Sequence, residues 1–190
     1  ASFTNAVNVG DGATLTAYGQ IGLGTYTLSS SAIESLVSTW GAAGVGVANA
    51  KADIASQQSV SVGEGATLSA LGNIDLSAGR DPEGLWQTRI NADTVAQSVV
   101  RGTIAVPDAR AESLINNVAG VSVEHGASVL AARNITAGGY NGLNAALADG
   151  EARGYQLGFI PVTNRDSRTN VVRDSFAHLD GNFLAGRYNE

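Results

Sequence analysis

The chain has no cysteine and no methionine, and it is poor in aromatic and charged residues. Without cysteine it has no disulfide scaffold, no thiolate zinc site and no cysteine nucleophile. Only 15% of its residues are charged and 6% are aromatic, whereas 24 of the 190 are glycines. This composition is typical of many small-residue strands with tight turns, and not of helices with leucine- and lysine-rich faces.

Basic charge is also scarce. The formal net charge is −6, and Lys51 is the only lysine. Nucleic-acid binding and attachment to an anionic membrane both need clustered cations, and no basic run is present. No apolar run approaches the length of a membrane span, and no secretory signal pattern opens the chain. We therefore expect no nucleic-acid partner and no membrane insertion, and a start without methionine favours a mature product or an excised fragment.

What the sequence does contain is a repeat. Residues 60–68 read Val-Ser-Val-Gly-Glu-Gly-Ala-Thr-Leu, residues 7–15 and 121–129 repeat this phrase with few changes, and a degenerate copy lies at 177–185. Apolar residues alternate with small polar ones, and glycines interrupt the alternation. This pattern predicts half-buried strands joined by tight turns, with glycine corners where a positive φ is favourable. The predicted corners are Gly12, Gly65, Gly126 and Gly181.

The spacing of the corners predicts how the copies stack. They are 53, 61 and 55 residues apart, which fits units whose loops differ in size. A weaker pattern at 44–47, 102–106 and 158–162 suggests that each unit holds two coils of chain. Stacked coils predict parallel strand pairing with like residues in vertical register. The predicted inward residues are Val9, Ala13, Leu15, Ala17 and Ile21, then Val62, Ala66, Leu68, Ala70 and Ile74, then Val123, Ala127, Val129, Ala131 and Ile135.

Variable stretches separate the units at 24–43, 77–101 and 137–157. They show weak helical spacing and predict loops that extend from one side of the stack. Because function tends to reside in loops on a rigid scaffold, their aromatic residues are candidate contacts for a carbohydrate or protein ligand. The candidates are Trp40, Trp86 and Tyr140. The alternative is that each of these rings fills the end of a coil or the core of a loop.

Titratable residues recur at the corners. Asp11, Glu64 and Asp180 each precede a corner glycine, and His125 takes that place in the third unit. With two coils per unit these side chains would stand roughly 10 Å apart. Ordinary turn chemistry explains them, with a calcium-bridged column as the alternative. The other histidine, His178, has no partner motif, and no nucleophile or phosphate-binding motif is present. We predict no catalytic, cofactor or metal site.

The repeated phrase resembles a known family. Residues 7–23 and 60–79, and more loosely 121–139 and 177–186, are similar to the repeats of large filamentous-haemagglutinin-like adhesins of Gram-negative bacteria. The resemblance implies a right-handed parallel β-helix of the two-partner-secretion type. Such a protein is secreted through an outer-membrane partner and displayed on the outer cell surface or shed. It carries over no catalytic residue and no cofactor.

We therefore expect an all-β chain, a right-handed parallel β-helix (β-solenoid) with loop excursions. It would form a single segment of a longer repeat protein, with units of approximately 1–59, 60–118, 119–174 and 175–190. The expected function is a rigid secreted or cell-surface rod that mediates or extends attachment to host, neighbouring cells or biofilm matrix. Further copies of its own repeats are expected end to end. A self-assembling extracellular fibre and a β-helix polysaccharide lyase or hydrolase are the alternatives.

Overall fold

The computed structural model describes residues 1–142 and 145–186, and these residues form fifteen β-strands and no helix. No helix that could span a membrane is therefore present in that part of the chain. The strands are β1 (Ser2–Val9), β2 (Thr14–Ala17), β3 (Ile21–Thr25), β4 (Leu28–Trp40), β5 (Ala43–Val62), β6 (Thr67–Ala70), β7 (Ile74–Ala78), β8 (Arg89–Arg101), β9 (Ile104–Val123), β10 (Ser128–Ala131), β11 (Ile135–Gly139), β12 (Ala146–Leu157), β13 (Ile160–Pro161), β14 (Asn164–Leu179) and β15 (Asn182–Ala185).

These strands form four parallel sheets. Sheet A has the order β1-β5-β9-β13, with β14 also paired to β9, and sheet B has the order β15-β10-β6-β2. Sheet C is β11-β7-β3, and sheet D is β12-β8-β4. The chain passes through A, B, C and D in that order and then begins again in sheet A. We call one such passage a layer. The prediction of an all-β chain with parallel pairing is confirmed.

Repeat copies lie directly on one another. Val62 pairs with Val9 and Val123, and Leu68 pairs with Leu15 and Val129. Each unit therefore makes one layer, and the prediction of two coils per unit is wrong. The reason is that the second half of each unit continues as sheet D, opposite sheet A, instead of closing a second coil. The weaker glycine pattern was also misaligned, because Gly41, and not Gly44, lies against Gly102.

The predicted loops with helical spacing are wrong, because these stretches contain the strands of sheet D. The stretches 24–43, 77–101 and 137–157 consist largely of β4, β8 and β12, which pair in parallel along their lengths. Their inward positions alternate strictly, as in Ile90, Ala92 and Thr94 of β8. Alanine, serine and threonine at inward positions weaken the apolar contrast that normally reveals period-two strands. The weak helical spacing was coincidental.

Two regions differ in their cores. In the three-sheet region, the ends of the long sheet A strands meet sheets B and C around valine, leucine and isoleucine, including Val62, Leu68 and Ile74. The predicted inward residues all belong to this cluster or pack against it, which confirms them. In the two-sheet region, the first parts of the sheet A strands face sheet D across alanines such as Ala48, Ala50 and Ala96. A separate cluster around Ile54 and Ile90, also between sheets A and D, lies between these alanines and the three-sheet region.

Three of the four predicted corner glycines have a positive φ. Gly12, Gly65 and Gly126 have φ of 64°, 64° and 73°, in the left-handed region that favours glycine. Gly181 does not have a positive φ. A β-carbon there would lie 2.7 Å from Cγ1 of Val123, so this position requires glycine for space and not for backbone conformation.

Candidate functional site

The loop between sheets C and D in the second layer forms a cleft of about 360 Å³. Trp86, Leu85 and Leu28 line it with apolar surface, and Thr88 and Arg89 supply polar groups. Leu28 and Arg89 come from different layers and meet because they are register partners at the start of sheet D. Trp86 and Leu85 are 56% and 74% exposed, so the cleft is open to a ligand.

Local hydrogen bonds hold this loop in one conformation. The Trp86 backbone N–H donates to Oδ1 of Asp81 at 2.9 Å, and the Asp81 N–H donates to the Trp86 carbonyl at 2.8 Å. Pro82 packs against the previous layer so closely that a β-carbon on Gly24 would lie 2.6 Å from its Cδ. Glycine at that position therefore makes room for the loop. The hydrogen bonds and this packing together fix the position of Trp86.

The cleft joins an aromatic face to a positive charge. The guanidinium of Arg89 has no ion-pair or hydrogen-bond partner among the described residues. The Thr88 hydroxyl is buried and accepts a hydrogen bond from the Thr27 N–H at 3.2 Å, which anchors the start of β8. An indole ring with a free guanidinium beside it can stack on the apolar face of a sugar and donate hydrogen bonds to its oxygens.

Tyr140 lies beside the same loop, but one face of its ring is occupied. The Arg80 guanidinium lies 3.7 Å from the ring centroid and forms an ion pair with Asp75 at 3.3 Å. The Tyr140 N–H donates to the Ala78 carbonyl at 2.7 Å. This arrangement binds one layer to the next, and it leaves less of the Tyr140 ring for a ligand than of the Trp86 ring.

Trp40 belongs to a different place. It ends β4, whereas the cleft lies at the beginning of that strand, about 40 Å away at the rise of an extended chain. Trp40 is 71% exposed, and the Arg101 guanidinium lies 4.3 Å from its ring centroid. The three predicted aromatic contacts therefore do not form one site.

Trp40 is part of a larger apolar surface that the sequence did not reveal. Sheet D turns back into sheet A at Gly41, Gly102 and Gly158, and exposed apolar side chains surround these turns. We call the segments 38–47, 99–106 and 155–162 the apolar ridge. Its exposed large apolar residues are Trp40, Val45, Val47, Ile104, Tyr155, Leu157, Phe159, Ile160 and Val162. The sequence signal for this surface is valine or isoleucine at outward positions next to each of the stacked glycine turns.

The titratable residues that precede the corner glycines lie closer to one another than predicted. Oδ1 of Asp11 accepts from the Glu64 N–H at 3.0 Å, and Nδ1 of His125 lies 3.5 Å from Oδ2 of Asp180. The separation of roughly 10 Å was wrong because one unit makes one layer. These side chains and His178 are exposed. Within residues 1–142 and 145–186, no three histidine or carboxylate side chains are placed to hold a metal ion.

A cluster of buried polar side chains lies between the three-sheet and two-sheet regions. Oγ1 of Thr27 accepts from Nδ2 of Asn5 at 2.8 Å and from Nε2 of Gln58 at 2.9 Å. Ser56 joins the same group, and Asn117 follows it in the next layer. Its hydrogen bonds join β1, β5 and the segment before β4, so it fixes how sheet D departs from the three-sheet region.

Comparison with models of protein families, with curated proteins and with solved structures finds no match to this chain.

Proposed function

We propose that the chain is a rod segment of a secreted surface protein, folded as a right-handed parallel β-helix. The observation that carries this proposal is the unbroken register between layers, in which β5 pairs with β9 over all twenty of its residues. All four sheets are traversed in the same order in successive layers. Right-handed crossovers are almost universal between parallel strands of one sheet, which supports the handedness.

A stack of this kind suits a mechanical function. The first three layers are joined to one another by four ladders of backbone hydrogen bonds, and the partial fourth layer is joined by the ladders of sheets A and B. A column of apolar side chains runs through the three-sheet region. Each layer contacts only its neighbours, so length increases by adding layers without a new core. The proposed function is to mediate or extend attachment to host, neighbouring cells or biofilm matrix.

The setting that we propose is the outer surface of a Gram-negative bacterium, reached through an outer-membrane secretion partner. The resemblance of the repeated phrase to filamentous-haemagglutinin-like adhesins supports this setting. The absence of cysteine is consistent with export as an unfolded chain, because no premature disulfide can form.

The cleft at Trp86 is the proposed attachment site, with a carbohydrate as its ligand. An exposed indole, two leucines and the Arg89 guanidinium, which no described residue pairs, offer stacking and directed hydrogen bonds in one place. A protein ligand with an apolar side chain and a carboxylate would use the same groups.

A self-assembling fibre is the second candidate. Leu179 and Phe183 align with the core residues Val123 and Val129, yet both are exposed on the last described layer. Another layer stacked on them would cover these apolar side chains and pair the free strand edges. Lengthening with protein concentration in electron micrographs would favour this candidate.

The experiment is one incubation of the chain with immobilised polysaccharides, scoring retention and chain cleavage together. Trp86→Ala is the test variant, and Tyr18→Ala is the matched control because Tyr18 is a 94% exposed aromatic remote in sequence. Retention without cleavage that Trp86→Ala abolishes and Tyr18→Ala preserves supports the attachment site. Cleavage would favour a β-helix lyase or hydrolase instead. Retention equal in both variants would remove Trp86 from the proposal.

A further inference from the structure

The apolar ridge has the chemistry of a surface that enters a lipid interface. Its three segments contain one charged residue, Arg101, in a chain whose formal net charge is −6. Phe159 lies in the last of the stacked glycine turns and is 90% exposed. Exposed apolar patches of this kind mark interaction sites, and here the patch recurs in each layer because the turns are stacked.

The shape of the ridge indicates what covers it. Trp40 and Leu157 lie on the outer face of sheet D, whereas Val45 and Ile160 lie on the outer face of sheet A, with Phe159 between them. The two faces point away from each other because the sheets pack across a thin alanine core. A flat protein partner would cover only one face. A fluid lipid interface would surround both faces and the turns between them.

The backbone of the ridge is already prepared for a less polar environment. The Gly41 N–H donates to the Arg101 carbonyl at 3.0 Å, and the Gly102 N–H donates to the Leu157 carbonyl at 3.1 Å. The Phe159 N–H donates to the Thr103 carbonyl at 3.3 Å. Hydrogen bonds between layers thus satisfy these three N–H groups, which would otherwise need water, and a satisfied backbone is the main requirement for entering a lipid phase.

The side chains also match the polarity gradient of an interface. Tryptophan and tyrosine favour the headgroup level, where Trp40 and Tyr155 would lie. The single guanidinium, already stacked on Trp40, can remain among the headgroups while its stem stays in the apolar band. The acidic net charge opposes an anionic bilayer, so the matching surface is a neutral, zwitterionic one.

We propose that the apolar ridge inserts into the headgroup region of a zwitterionic lipid surface, to a depth of about 5–10 Å. This departs from the sequence-based expectation of no membrane insertion, which rested on the absence of a spanning run and of clustered cations. Insertion to this depth at a zwitterionic surface requires neither. It orients the rod with its long axis along the membrane, because the ridge runs from layer to layer. This inference goes beyond the proposed function, since it adds a lipid partner and does not depend on the cleft at Trp86.

The test is flotation of the chain with phosphatidylcholine vesicles, together with tryptophan emission. A Trp86→Phe background makes Trp40 the only indole, so a blue shift on vesicle addition reports the ridge alone. Phe159→Ser should weaken vesicle binding by about tenfold or more, as expected for one lost buried phenyl group. Tyr18→Ser is the matched control, because that aromatic is equally exposed outside the ridge, and it should leave binding unchanged.

Three outcomes would overturn the proposal. The first is no flotation with phosphatidylcholine at millimolar lipid. The second is flotation that Phe159→Ser and Leu157→Ser leave unchanged, which would place the contact elsewhere. The third is self-association without vesicles that Phe159→Ser dissolves, which would assign the ridge to a second copy of the chain. Circular dichroism of each variant confirms that the sheets are intact, and loss of saccharide binding by Trp86→Phe leaves this result unaffected.

Discussion

The three-sheet and two-sheet regions belong to the same layers and share the long strands of sheet A, yet their interiors use different side chains. Leu68, Ile74 and Val123 fill a wide interior in the three-sheet region. In the two-sheet region, small residues such as Ala50 and Ala96 fill the narrow space between two facing sheets. Buried area per residue is larger for leucine than for alanine, so the apolar contribution to stability is concentrated in the three-sheet region. The two-sheet region contributes shape, because it carries the ridge far from the main core.

The largest effect is expected from the wide core. Leu68 is fully buried in the middle layer, so Leu68→Ala should lower the free energy of unfolding by about 2–5 kcal/mol in urea titration. Leu71→Ala, at a nearby exposed position, should cost less than about 0.5 kcal/mol. Equal costs for the two variants would show that the three-sheet region is not the stabilising core.

The core of the two-sheet region should be destabilised by a larger side chain, and not only by a smaller one. Ala50→Leu inserts a large side chain between the facing sheets and should cost about 1–3 kcal/mol, measured by thermal unfolding. Ala55→Leu lies on the same strand but points outward, so it serves as the control and should leave the melting temperature nearly unchanged. If Ala50→Leu were neutral, the two sheets would not be held at close distance.

The corners should show a smaller cost that depends on backbone conformation. Gly65 has a φ of 64°, and a β-carbon at this position would have no atom within 4 Å, so Gly65→Val tests backbone conformation with an added β-carbon that meets no neighbour. The left-handed conformation costs a residue with a β-carbon about 1–2 kcal/mol. Gly10 is equally open but does not have a positive φ, and Gly10→Val should therefore have little effect. An unchanged melting curve for Gly65→Val would contradict the corner assignment.

The smallest effect is expected on the outer face of sheet D. A hydrogen bond from Arg153 lowers the pKa of the Glu151 carboxyl, and both side chains are exposed. A depressed carboxyl pKa contributes stability above the pKa of the unfolded chain and loses it as the pH falls through the folded value. Because water screens this pair, Glu151→Gln should leave the melting temperature at pH 7 unchanged. A clear drop would show that surface pairs help to hold the two-sheet region.

The sequence predicts the three-sheet region well because its repeated phrase places valine, leucine and isoleucine at inward positions of every layer. It predicts the two-sheet region poorly because polar residues also point inward there. Thr94 and Ser113 hydroxyls lie 2.9 Å apart, and the Ser98 hydroxyl donates to the Gly46 carbonyl at 2.7 Å. Such pairings depend on partners in other strands, so no local pattern announces them.

The same limit applies to the candidate sites. Trp86 is identifiable from the sequence as an aromatic residue in a variable stretch. Leu28 and Arg89 are not, because they become neighbours of Trp86 only through the register of β4 with β8. The apolar ridge requires knowing that three glycine turns, more than fifty residues apart in sequence, are stacked. A site built from the same position in several layers is invisible until the length of a layer is known.

The register of the sheets also determines when folding can begin. Paired residues are separated by 53 to 61 positions, and the parallel pairs of named strands contain no shorter connection. Contacts of such long sequence separation form slowly, because the intervening chain must lose its freedom first. When the chain emerges gradually, from a ribosome or through a pore, a strand can therefore pair with the next strand of its sheet only after one complete layer has followed it. From then on, each further strand meets a template that is already in place.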